Sequence, residues 1–288
     1  TPRRPPRRWR SPWTGSPPCL QAPSTMNQLQ HRLDTIGNNI ANVNTHGFKT
    51  KDTQFSSLLK QQFNHDENQV NLPRHTPDGV RVGTGARLGH TNINLRQGSI
   101  QETGRALDVA LQNANQFFQV MVNENGVNEV RYTRSGNFYL NEVGNGMLML
   151  VNSNGHPVVG DNGQIIIQEN MDELFINENG ELVTMRNGNQ QIEGRIAVVE
   201  SIRPRSMEAA GENLFRISQE TLDTYGLGGI INDVAAANTQ IKGGALEASN
   251  VDMAKQMADM METQRAYQFN ARTISMADQM SGLINSLR

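Results

Sequence analysis

Near one end of the chain, apolar residues fall at Met26, Leu29, Leu33, Ile36, Ile40 and Val43, with spacings that alternate between three and four. This is the a/d rhythm of a coiled-coil seam rather than the broad face of a globular helix. Gln28, Gln30, Arg32, Asp34, Asn38 and Asn39 fill the other faces, and Asn44-Thr45-His46-Gly47 supplies turn chemistry that should stop the helix. The far end mirrors it. From Asn250 to Leu287 no Pro or turn cluster interrupts a run rich in Ala, Met, Gln, Glu and Arg, which predicts a long helix with Asn250 as its cap. Val251, Ala254, Met257, Ala258 and Met261 form a stripe that Tyr267, Ala271, Ile274, Ala277, Met280, Ile284 and Leu287 continue beyond the polar Gln264-Arg265. Two thin amphipathic helices at opposite chain ends are natural partners.

Between them the texture changes to short β-branched or aromatic runs punctuated by Gly and Asn. Asn125-Gly126, Asn154-Gly155, Asn162-Gly163, Asn179-Gly180 and Asn187-Gly188 are two-residue turn signals, because both residue types tolerate the positive φ of tight hairpins. They predict strands at 117–122, 130–133, 137–140, 147–151, 164–167, 174–176, 182–185 and 195–199. The fold class is therefore α+β: a mainly antiparallel β domain over 80–245, with terminal helices forming a coiled-coil-like layer. Residues 60–79, with Pro73 and Pro77, are expected to be a flexible connection. The Asn-Gly pairs are too irregularly spaced for a solenoid.

Charge separates a leader from the body. Residues 1–25 hold five Arg and no acid, both Trp, the single Cys (Cys19) and seven of the 11 Pro. The remainder carries 21 basic against 28 acidic groups, a poor match for a polyanion. The leader is expected to be disordered or artefactual. From residue 26 onward the lack of cysteine excludes disulfides, thiol catalysis and Cys-based metal sites there. No apolar run approaches a membrane span, and no apolar stretch after the arginines resembles a cleavable secretion signal.

Chemistry is sparse. Six His at 31, 46, 65, 75, 90 and 156 show neither zinc spacing nor a nucleophilic arrangement. Gly83-Thr84-Gly85 has Leu88 where a dinucleotide fingerprint needs its third glycine, so it reads as a bend entering the β region. Carboxylates such as Asp172, Glu173, Glu178 and Glu181 lie at turns. No catalytic residue, cofactor site or metal site is expected, and the chain is not expected to be an enzyme. Six Met in the last helix suit either ordinary core filling or an adaptable interface to non-identical neighbours. Six apolar side chains return less than the entropy of ordering the first helix, so both ends are expected to be partly disordered in the monomer and to fold on assembly.

Four ordered blocks carry a family resemblance. Asn38-Asn39-Ile40-Ala41-Asn42-Val43-Asn44-Thr45-His46-Gly47-Phe48-Lys49 resembles the N-terminal signature of bacterial flagellar rod and hook proteins. Gly244-Ala245-Leu246-Glu247-Ala248-Ser249-Asn250-Val251-Asp252 with Glu262-Thr263-Gln264-Arg265-Ala266-Tyr267 resembles the C-terminal block of that family. Leu107 to Leu111 with Phe117-Phe118-Gln119-Val120, and Tyr132-Thr133-Arg134-Ser135-Gly136-Asn137-Phe138, are similar to its central region. The resemblance implies a subunit of an axial tube, with terminal helices in an inner layer, the β domain outward, and export unfolded through the flagellar type III apparatus. It implies contacts with further copies, with neighbouring rod and hook proteins and with that apparatus, and a place in the basal body outside the cytoplasm. A rod position, distal or proximal, fits the compact chain better than the hook.

Two departures stand out. Asn113-Ala114-Asn115-Gln116 replaces a glycine-containing turn. The Pro/Arg leader also occupies the place where that family's first helix begins, and Pro17, Pro18 and Pro23 cannot continue a helix. The expected organisation is a 1–25 leader, a rod helix and signature over 26–59, the 60–79 connection, the 80–245 β domain and a C-terminal rod helix over 246–288. The expected assembly surface comprises Leu29, Leu33, Ile36, Asn38, Asn39, Ile40, Asn42, Val43, Asn44, Asn250, Val251, Met257, Met261, Arg265, Tyr267, Ile274, Met280, Ile284 and Leu287. The alternative reading of the amide run is simple capping within one chain. The readings from another class are an envelope protein that binds carbohydrate or cleaves peptidoglycan, which would need an aromatic platform or a carboxylate pair, and a coiled-coil adhesin.

Overall fold

Helix α1 runs Ala22–Ala41, so it starts before Met26 and takes Pro23 into its first turn. That position tolerates proline because its missing N–H would have had no intrahelical partner. The computed structural model describes residues 22–57, 60–63, 80–83, 86–124, 126–235 and 239–286. The leader to residue 21 and most of the 60–79 connection lie outside them. Within that connection, Lys60–Phe63 is a strand, paired antiparallel with Val80–Gly83.

The chain divides into two compact units, one of residues 1–38, 52–91 and 254–288, the other of 39–51 and 92–253. In the first, most of α1 and of the C-terminal helix accompany the strands Lys51–Ser57 and Ala86–Ile93, which pair. Arg32 and Asp259 join the two helices by an ion pair of 3.8 Å.

The second unit is built on a six-stranded antiparallel sheet. Its spatial order is Met207–Gly211, Leu214–Ile217, Val127–Thr133, Gln116–Glu124, Val198–Ser201 and Ile231–Asp233. Alternation along Gln116–Glu124 creates two cores. Phe118, Val120 and Val122 enter a large aliphatic cluster with Leu150, Ile167, Leu182 and Ile196. Phe117 points the other way, towards Tyr132, Phe215 and Ile230. Two edge-to-face pairs lie on these opposite sides, Phe118 with Phe138 at 5.2 Å and Phe117 with Phe215 at 5.6 Å.

Three-stranded hairpin sheets pack beside the large core. Asn187 and Gly188, at φ +50° and +77°, make the predicted turn after Glu181–Arg186, but the strand that follows is Asn189–Arg195, ahead of the 195–199 strand expected. Asn145 and Gly146, at φ +56° and +69°, make an equivalent turn between Tyr139–Gly144 and Met147–Val151, one more than the five expected from the Asn-Gly pairs above. A short helix α2, Gln219–Tyr225, interrupts the β region and was not predicted. The last helix, α3, spans Met253–Ser286. No helix among the described residues is long and apolar enough to cross a membrane.

Candidate functional site

The signature segment 39–51, the block 244–250 and the β body meet in one buried polar cluster. Glu247 is its centre. Its Oε1 accepts from Lys49 Nζ at 2.6 Å and from the Gly98 backbone N–H at 2.8 Å. Its Oε2 accepts from Arg134 Nε at 2.9 Å. Lys49 also donates to the Arg96 carbonyl at 2.8 Å, and Arg134 Nη1 to the Asn113 and Gln116 carbonyls, both at 2.6 Å.

The side chains of Lys49 and Glu247 are each 1% exposed and that of Arg134 is 0% exposed. Buried charges persist only when such bonds replace hydration. Burial pushes the Lys49 ammonium below the usual lysine range, the Glu247 carboxylate opposes that shift and the Arg134 guanidinium adds to it. Burial likewise lowers Arg134 from the ordinary arginine value, against the pull of Glu247. Asn113-Ala114-Asn115-Gln116, the departure from the family's usual turn, provides the two carbonyls that receive Arg134.

Asn250 is the second anchor. Its Oδ1 accepts from the Thr50 backbone N–H at 2.8 Å and its Nδ2 donates to the Asn94 and Arg96 carbonyls, both at 2.8 Å. The Gly47 N–H donates to the Glu247 carbonyl at 2.7 Å. Asn39, in the last turn of α1, makes a reciprocal pair with the Lys51 backbone, at 2.9 and 3.0 Å. Glycine is required at two points. A Cβ on Gly47, at φ +69°, would lie 2.6 Å from the Arg134 carbonyl carbon, and one on Gly98 would lie 2.0 Å from the Ala248 oxygen.

The expected assembly residues separate by environment. Asn39 is buried and Asn250 half-buried, and both make bonds within the chain. Asn42 accepts from the Thr45 hydroxyl at 3.2 Å. Asn38 and Asn44 are exposed. Leu29 and Ile36, two heptad-spaced members of the α1 seam, are buried, whereas Leu33, Ile40 and Val43 are half-buried.

On α3 the predicted stripe proves to be two faces. Tyr267 and Ile274 are half-buried on the side of the buried Gln256 and Thr263. Met257, Met261, Arg265 and Met280 lie exposed on the opposite side. Val251 is half-buried ahead of the helix, and the Ile284 side chain and Leu287 lie outside the described residues. Lys49, Arg134 and Glu247 lie within three of the motif blocks, whose sequence gives no sign that they meet. Charged residues inside otherwise apolar or turn-rich blocks were the available signal.

Among the described residues no group of His, Cys, Asp and Glu is arranged to hold a metal. A cavity of about 590 Å³ is lined by Tyr132, Arg216, Ser218 and Leu227 among others.

Three family models match the chain in order. The flagella basal body rod protein model covers residues 21–49, the flagellar hook protein FlgE/F/G D1 domain covers 113–184, and the flagellar basal body rod FlgEFG protein C-terminal model covers 242–287. The chain is 42% identical over 275 residues to the flagellar hook-basal body complex protein FlhP of Bacillus subtilis (strain 168), covering 93% of this chain and 98% of that one. It is 32% identical over 273 residues to the flagellar basal-body rod protein FlgG of Borreliella burgdorferi, with 93% and 97% covered. Against FlgG of Buchnera aphidicola subsp. Acyrthosiphon pisum the identity is 30% over 262 residues, with 90% and 94% covered.

Proposed function

Since the chain belongs to the flagellar basal-body rod and hook family, we propose that it builds the rod by burying the exposed apolar side of α3, together with the α1 seam, between neighbouring subunits. It is a structural subunit of the flagellar basal body and not an enzyme. The observation that carries the proposal is the row Met257, Met261, Phe269, Met276, Met280 and Leu283. These side chains are all exposed, with Met261 at 55%, Phe269 at 70% and Met280 at 60%. With 3.6 residues per turn they fall within roughly 140° of arc, opposite Gln256 and Thr263.

Burying the exposed half of six such side chains contributes on the order of 5–9 kcal/mol per subunit. Head-to-tail contacts of that kind propagate into an open filament when the rotation does not close. Methionine suits a surface that meets non-identical neighbours, because its flexible thioether repacks at little cost. Coiled-coil layering of α1 and α3 is part of this reading, and the Arg32–Asp259 ion pair supports it. So is export through the flagellar type III apparatus, for which the test is secretion in a strain lacking that apparatus. A rod rather than a hook position is supported by the FlgG relatives and by the absence from the sequence of a large extra β insertion.

The decisive experiment introduces Met261→Glu, Phe269→Glu and Met280→Glu together into a strain lacking the native gene. The expected result is loss of swimming and of the subunit from purified basal bodies, with the circular dichroism of the purified chain unchanged. Normal incorporation of the triple variant would remove the basis of the proposal.

A further inference from the structure

Glu247 is one anion facing two buried cations that come from separate, earlier parts of the chain. Lys49 lies 198 residues before it and Arg134 113 residues before it. The segments carrying Lys49 and Glu247 also bind one another directly. The Gly47 N–H reaches the Glu247 carbonyl, the Thr50 N–H reaches Asn250 Oδ1, and the Asn250 N–H reaches the Phe48 carbonyl at 3.4 Å. Each also binds the β body, 244–250 through the pairing of Ala245–Glu247 with Ile100–Glu102 and 39–51 through the Thr50 carbonyl and Lys49, so each docks on the body and on the other. Were 244–250 to leave, Lys49 and Arg134 would remain buried without their carboxylate. Were 39–51 to leave, Glu247 would lose Lys49 and its segment the backbone bond to Gly47.

We propose that Lys49, Glu247 and Arg134 form a two-ended latch, by which segments 39–51 and 244–250 are held on the β body together and released together. The latch places the end of α1 and the approach to α3 under one opening equilibrium. A unit with independent terminal segments would instead have two. Charge count makes the latch asymmetric. Removing the anion leaves two buried cations, whereas removing Lys49 leaves a neutral Arg134–Glu247 pair. This inference rests on the buried cluster alone and stands apart from the assembly reading.

The test is amide hydrogen exchange followed by mass spectrometry on the full chain, dilute and monomeric. In the unmodified protein, peptides covering 44–51 and 244–250 are expected to exchange with matching protection. In Glu247→Gln both should exchange roughly 100-fold faster, together with Gly98, while the central strand Gln116–Glu124 keeps its protection. Lys49→Met should loosen the same two segments by a smaller factor. If Glu247→Gln loosens only one segment, or neither, the latch is refuted. Should that variant lose the central sheet as well, Lys49→Met decides by the same criterion of joint or separate release.

Discussion

Gly47→Ala is the substitution whose cost can be worked most directly from the geometry. At φ +69° an alanine gives up roughly 1–2 kcal/mol relative to right-handed backbone. The smaller entropy of the unfolded alanine chain offsets about 0.4–1 kcal/mol of that. The new Cβ would stand 2.6 Å from both the Arg134 carbonyl carbon and the Ser135 nitrogen, which are backbone atoms that cannot rotate aside. Moving residue 47 outward breaks its 2.7 Å bond to the Glu247 carbonyl, about 0.5–1.5 kcal/mol, and loosens the packing of the Arg134 segment.

These contributions sum to about 0.5–3 kcal/mol, to which the loosened packing adds. For a urea slope of ~2 kcal/mol/M, that sum alone lowers the midpoint by about 0.3–1.5 M. Far-UV circular dichroism is the suitable probe, since both tryptophans lie in the leader, at Trp9 and Trp13. Gly104→Ala is the matched control: its φ is +68°, but a Cβ there meets nothing within 4 Å. It should cost only the conformational part, about 1 kcal/mol. Equal midpoint shifts for the two variants would show that the close approach of Gly47 to Arg134 has no energetic weight, and the packing argument for the signature loop would fail.

Two further outcomes follow from the cores. Phe118→Ala, at a fully buried position stacked edge-on against Phe138, should lower stability by about 3–5 kcal/mol in urea unfolding, and Phe118→Leu by clearly less. Burial raises the Tyr132 phenol above its ordinary value, and the nearby Asp233 carboxylate adds to the shift. A raised folded-state pKa gives stability that is fully present below about pH 10 and is lost as pH rises through the raised value. Tyr132→Phe should therefore flatten the alkaline fall in thermal midpoint above about pH 10, and an unchanged slope would rule out this residue as its source.

What the sequence determined by itself is local. The spacing from Met26 to Val43 and the uninterrupted run after Asn250 specify helices because helical periodicity and the absence of breakers act within a few turns. Asn187-Gly188 specifies a hairpin because positive φ is a property of those two residues. Family membership, too, was legible in contiguous motifs. Tertiary structure alone decided which charged residues are buried. Lys49, Arg134 and Glu247 look like ordinary polar positions until strands and loops more than a hundred residues apart bring them within 3 Å. It also decided which side of α3 is used within the chain. Thr263 and Gln256 are buried while Met261 and Phe269 stay exposed, a reversal of the hydropathy pattern. Burial follows from what packs against a face, and hydropathy records only what a face could accept.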